Sequence, residues 1–174
     1  MNVPLRFWSA WLAVLALVGC AAMMTPSVPS GASMGDVEAK MGKPFAVVKA
    51  PDGDTVWQYP KGPFGQQTYM ARFGPDQRVK SFTQALTFDN LAKVQRGMTK
   101  DEIRLLLGSP TMEVITYRNL HQEGWSYRYL IPAADNRIFT VLFDTTTGRV
   151  QNASDQVDEL YQPINWGTGG GSAR

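Results

Sequence analysis

One stretch of the chain occurs twice. Gly31-Ala-Ser-Met-Gly-Asp-Val-Glu-Ala-Lys-Met-Gly-Lys-Pro44 lies without a gap on Gly97-Met-Thr-Lys-Asp-Glu-Ile-Arg-Leu-Leu-Leu-Gly-Ser-Pro110, 66 positions further on. Both copies open with a hydroxyl side chain (Ser33, Thr99) and carry an acid three residues later (Asp36, Glu102). That spacing lets each side chain accept from the other's backbone amide at a helix start. A β-branched core residue follows in each (Val37, Ile103), and a glycine and a proline end each copy (Gly42 and Pro44, Gly108 and Pro110). The glycine can turn out of the helix and the proline cannot continue it. Each copy therefore predicts a short helix.

The copies stay alike downstream. Trp57-Gln-Tyr59 corresponds to Trp125-Ser-Tyr127, and Phe73 with Arg78-Val79 corresponds to Phe143 with Arg149-Val150. Strands are expected near 45–49, 55–60, 66–74 and 78–86, and again near 111–119, 125–131, 137–144 and 149–155. Turn pairs such as Asp52-Gly53, Pro75-Asp76 and Thr147-Gly148 separate them. Alternation puts Trp125, Tyr127, Tyr129 and Ile131 on one face and Phe139, Val141 and Phe143 on another. The second copy has an extra helical stretch at its front, Phe88–Arg96. The expected division is 34–86 for the first helix-plus-sheet unit, 87–159 for the second and 160–174 for a Gly-rich flexible tail.

Ahead of the first unit the chain reads as an address. Phe7 to Gly19 carry no charge, over a run shorter than the roughly 20 residues that span a bilayer. This fits the apolar region of a secretory signal, 1–19. Leu17-Val18-Gly19-Cys20 resembles a bacterial lipobox, in which the cysteine thiol takes a diacylglycerol and its freed amine an acyl chain. Cys20 is thus the expected lipidation site, and residues 20–33, rich in Pro and Ser, the tether. By the same resemblance, Ala21 after the cysteine implies the outer rather than the inner membrane.

Composition removes several function classes. The single Cys and single His exclude an internal disulfide, a Cys-based zinc site and a paired-His metal site. With 17 basic against 15 acidic residues and no long basic run, nucleic acid has no electrostatic footprint to follow. His121 sits in an expected turn without a partnering nucleophile. Asp101/Glu102 suit the first turn of a helix, and Asp155, Asp158 and Glu159 end the last strand without calcium-loop spacing. Gly62–Gly65 and Gly169–Gly171 lack the context of phosphate loops. No small-molecule substrate, metal or cofactor is expected beyond the lipid on Cys20, and the chain is expected not to be an enzyme.

The run Gly97-Met-Thr99, then Leu-Leu-Gly-Ser-Pro110, Trp125-Ser-Tyr127 and the Phe143–Val150 hairpin, resembles the SmpA/OmlA (BamE-like) outer-membrane lipoprotein family. The resemblance is good over about 88–155 and weaker over about 31–86. It implies an α+β fold of helices on a small antiparallel sheet. Two such units in tandem are similar to the β-lactamase inhibitor protein architecture. The implied role is a non-catalytic, lipid-anchored binding or scaffold factor in outer-membrane assembly or integrity, on the periplasmic face, with the β-barrel assembly machinery as a candidate partner. An anchored inhibitor or binder of a periplasmic enzyme is the alternative. Helices can cover only one face of each sheet, so Tyr117, Tyr127 and Tyr129 are candidates for a partner surface on the other.

The lipid assignment predicts that Cys20→Ser removes the protein from the membrane fraction and abolishes incorporation of labelled fatty acid. A mutant that fractionates and labels normally would refute it.

Overall fold

The computed structural model describes residues 26–62, 64–131 and 136–161. Cys20, the signal segment and residues 162–174 of the tail lie outside them. In chain order the described elements are α1 (Met34–Met41), β1 (Ala46–Lys49), β2 (Thr55–Pro60), β3 (Thr68–Phe73), β4 (Val79–Gln84), α2 (Phe88–Leu91), α3 (Lys100–Leu107), β5 (Ile115–Tyr117), β6 (Gln122–Leu130), β7 (Asn136–Asp144) and β8 (Val150–Val157). The strands form two antiparallel four-stranded sheets, ordered β1-β2-β3-β4 and β5-β6-β7-β8. The class is α+β, as expected.

The caps form as the spacing requires. Ser33 Oγ accepts from the Asp36 amide and Asp36 Oδ2 from the Ser33 amide, at 3.2 and 2.9 Å. Thr99 and Glu102 do the same at 3.2 and 2.7 Å. Both cap residues also form a single antiparallel bridge to the residue just before a sheet's last strand, Ser33 to Arg78 ahead of β4 and Thr99 to Arg149 ahead of β8. Other landmarks recur. A β-bulge falls at Arg72/Phe73 and again at Leu142/Phe143. The Trp57 and Phe73 rings meet at 4.8 Å and 60°, and those of Trp125 and Phe143 at 4.8 Å and 59°.

Each sheet buries one face under its own helix. Val37 of α1 packs with Tyr59, Tyr69, Ala71 and Phe73. Ile103 and Leu107 of α3 pack with Trp125, Tyr127, Val141 and Phe143, joined by Leu86 and Leu91 from the connection between the sheets. The two cores meet at α3, which has a second contact side. Leu105 packs against Ala50, Val56, Met70 and Ala85, on the face of the first sheet that α1 leaves open. Gly108, at φ +90°, ends the helix there. A Cβ on it would lie 2.8 Å from Thr68 Cγ2, so glycine is needed both for the turn and for the close approach.

Gln58 fastens this junction. It is fully buried on β2. Its Nε2 donates to the Arg104 carbonyl at 2.9 Å, and its Oε1 accepts from the Ser109 amide and hydroxyl, each at 2.9 Å. From the opposite side, the Tyr127 hydroxyl donates to the Gly108 carbonyl at 3.1 Å. Carbonyls at a helix C-terminus have no partners within the helix. Here each sheet supplies one donor, Gln58 to the Arg104 carbonyl, which also takes the Gly108 amide, and Tyr127 to the Gly108 carbonyl.

Three expectations need correction. The helical stretch 88–96 narrows to the single turn of α2, because Asn90 and Leu91 carbonyls accept from Lys93 and Val94 in tight turns instead of extending the helix. The tether does not run free to Ser33. Val28 is buried against the first core, and Gly31 and Ala32 exchange backbone hydrogen bonds with Val79. The tail does not begin at 160, since Glu159–Tyr161 form a short 3-10 turn and the Tyr161 hydroxyl donates to the Phe64 carbonyl at 2.8 Å.

Spacings of three and four residues place Ile103, Leu106 and Leu107 on one side of α3. Ile103 and Leu107 are fully buried, whereas Leu106 only flanks the core. Leu107→Ala should therefore cost about 2–5 kcal/mol, transfer plus cavity, and Leu106→Ala roughly half as much. Urea midpoints of the two variants check the order, and equal losses would contradict it.

Candidate functional site

The face of the second sheet that α3 does not cover is set by the register of β6 on β7. Trp125 lies opposite Val141, Tyr127 opposite Phe139 and Tyr129 opposite Arg137. Side chains of directly opposed residues point the same way. The two aromatic sets that alternation had assigned to different faces therefore share one, the core face. Tyr127 is 0% exposed and Tyr129 2%, so neither can form an open partner surface. Tyr117, 40% exposed on the edge strand β5, is the one of the three tyrosine candidates that lies at the surface.

The open face is built from the alternate positions. Gly124 and Ser126 of β6 and Ile138, Thr140 and Leu142 of β7 form its floor. Ile115 and Tyr117 raise one side, Ser154 and Gln156 of β8 the other, and Met112 and Leu120 extend it. Together they line an open groove of about 360 Å³, without a charged side chain. The Ser126 and Thr140 hydroxyls sit 2.9 Å apart and share one hydrogen bond across the floor. At Gly124 a Cβ would come within 3.3 Å of the Tyr117 ring, so the missing side chain is what lets that ring lean in. Ile115 and Leu120 are 48% and 63% exposed.

One end of this face is closed by Arg128, whose Nε donates to Asp158 Oδ2 at 2.6 Å with both side chains buried. Its guanidinium lies 5.4 Å from the centroid of Phe64, which comes from the first unit. A strand pattern read alone could find neither the pair nor the groove, because both depend on which residues face each other across the sheet. The available signal was composition: on β6 the set Gly124, Ser126 and Arg128 is too small or polar to be the core set beside Trp125, Tyr127 and Tyr129.

Residues 84–153 match the family model for the outer membrane protein assembly factor BamE domain. The matched segment holds α2, α3 and the second sheet up to Ala153, and so most of the open face. No curated protein matches the chain. Among solved structures, the chain is similar at 12% identity and a TM-score of 0.29 to an extracellular protein containing a SCP domain from Bacillus anthracis str. Ames. The likeness covers 79% of this chain and 49% of that one, so the chain spans about half its length. A superposition that loose carries no argument.

The other residues singled out in the sequence do not converge. His121 holds a left-handed turn, its amide donating to Arg118 and its carbonyl accepting from Thr145. Asp101 pairs with Arg104 at 2.9 Å, and Glu102 caps α3, where the Thr99 amide and hydroxyl hold its carboxyl below the usual range. Asp155 pairs with Arg137 at 2.8 Å, away from Asp158 on Arg128. Among the described residues no group of three or more His, Cys, Asp or Glu could hold a metal ion, and no helix is long and apolar enough to cross a membrane. On the first sheet, buried Asp54 takes Lys80 and Arg72 at 2.7 Å each, which holds its carboxyl below the usual range; sequence reasoning had not singled it out.

Burial of the core tyrosines has a pH consequence. Desolvation pushes the Tyr127 hydroxyl above its ordinary 10.0, and desolvation with nearby Glu38 pushes Tyr59 up to about 12. The folded state keeps both protonated, while the unfolded chain releases their protons near 10.0. Their contribution is complete below that pH and declines as pH rises through the interval above it. The urea midpoint should fall between about pH 9 and about pH 11, and less steeply in Tyr127→Phe. A midpoint flat over this range would contradict the placement.

Proposed function

We propose that the protein is a non-catalytic binding factor on the periplasmic face of the outer membrane, held there by lipid on Cys20, and that it assists outer-membrane protein assembly. The observation that carries this reading is the match of residues 84–153 to an outer-membrane assembly-factor domain. The open apolar face within that segment supplies a surface on which such a factor can hold a partner. We further infer that the two halves are copies of one unit, from the paired caps, bulges and Trp–Phe contacts. The second copy then retains the assembly-factor role and the first serves as its support. Tyr117, at the rim of the groove, stays a candidate contact.

The experiment replaces Ile138 and Leu142 together by Glu in the full chain. Both side chains face the groove, outside the α3 core, so the fold should persist. The variant should keep its unfolding free energy in urea to within about 1 kcal/mol of wild type yet lower the amount of β-barrel protein in the outer membrane to the level of a deletion strain. Wild-type amounts of barrel protein in that strain would overturn the reading.

A further inference from the structure

The two sheets differ in what covers their second face. On the first sheet, α3 packs Leu105 against Val56 and Met70 and is held at its end by Gln58. Register carries these positions onto Gly124, Ser126 and Thr140 of the second sheet, since Gln58 lies opposite Met70 as Ser126 lies opposite Thr140, each one residue after its tryptophan. Those are floor residues of the open groove. The chain thus shows, within itself, what kind of element this face takes when it is covered, and the described residues leave the matching seat on the second sheet open.

We propose that the open face of the second sheet is the seat of an α-helix belonging to a different protein, laid across the strands as α3 is laid across the first sheet. This rests on reading that face as the protein-binding surface and names its occupant. Three observations favour a helix. The backbone groups of β6 and β7 are already paired in the ladder, so an extended peptide lying flat on them would bury its own amides and carbonyls without partners, whereas a helix satisfies its own. From β5 to β8 there are three strand spacings, about 14 Å, which leaves room for one helix of about 10 Å between the raised sides. The groove presents Ile115, Ile138 and Leu142 and is lined by no charged side chain, which suits a row of aliphatic side chains better than a lipid phosphate.

A second copy of the chain is the poorer occupant. Among the described residues its free helix is α1, and where α3 and the residues just after it present Leu105 and Ser109 to the first sheet, α1 and the residues just after it carry Ala39 and Lys43. A lysine on an uncharged floor and an alanine in place of the central leucine remove the contacts that hold α3. Gln58 reaches the end of α3, but Ser126 at its place is too short to do so, and it is already engaged with Thr140. The partner helix therefore need not end over the groove.

The test installs the photocrosslinker p-benzoylphenylalanine at Ile138 or at Leu142 of the full lipidated chain in the cells that make it, and maps the crosslinked residues by mass spectrometry. The expected result is one segment of another protein, marked at every third or fourth residue. Glu at the other of the two positions should lower the yield about tenfold. Marks at every second residue, adducts with lipid or with a second copy of this chain, or no adduct at either position would each overturn the helix proposal. The outcome is separable from the functional reading: if the Ile138/Leu142 double Glu variant loses barrel assembly while the marks fall at every second residue, the function stands and the helix falls.

Discussion

The side-chain amide of Gln58 is where the two halves of the molecule become one. A glutamine buried in the middle of a strand is costly unless its amide is fully used. Here it is used by α3: the carbonyl of Arg104 takes its N–H, and the amide and hydroxyl of Ser109 give to its oxygen. Tyr127 grips the same helix end from the other sheet. The eight residues of α3 would be marginal as a helix alone. Capped at one end by Thr99 and Glu102, clamped at the other by two sheets and apolar on two sides, it becomes the element both cores share.

This sharing decides which surface is left for function. Two sheets have four faces, and the helices α1 and α3 cover three of them, because α3 serves twice. The remaining face lies on the second sheet, in the segment that matches an assembly-factor domain. An apolar face is stable in water only to a limited extent. Its floor is built of small and hydroxyl-bearing residues, Gly124, Ser126 and Thr140, while Ile115, Leu120 and Leu142 supply its apolar area.

What was legible in the sequence was local. Ser33, Thr99, Gly42 and Gly108 bound their helices because capping and chain reversal depend on residues three to nine apart. The strand centres followed from alternation for the same reason. Tyr127 and Tyr129 were misplaced because alternation orders residues within a strand and says nothing about the parity between strands; one step in the β6–β7 register exchanges the two faces. Gln58 stood unnoticed in Thr-Val-Trp-Gln-Tyr-Pro because its partners lie 46 and 51 residues away. Leu107 rather than Leu106 takes the deepest position because it stands one helical turn, four residues, after Ile103.

The claim that Gln58 joins two cores through α3 is tested most directly by Gln58→Leu. Equilibrium urea unfolding would be followed by NMR at the indole signals of Trp57 in the first sheet and Trp125 in the second. Leucine nearly matches the volume but leaves the half-buried Ser109 amide and the Arg104 carbonyl without the Gln58 side chain, at a cost of about 1–3 kcal/mol. The account predicts that both signals still vanish in one transition, shifted to lower urea by the same amount. A wild-type midpoint at both, or a shift at Trp57 while Trp125 keeps its own, would contradict it.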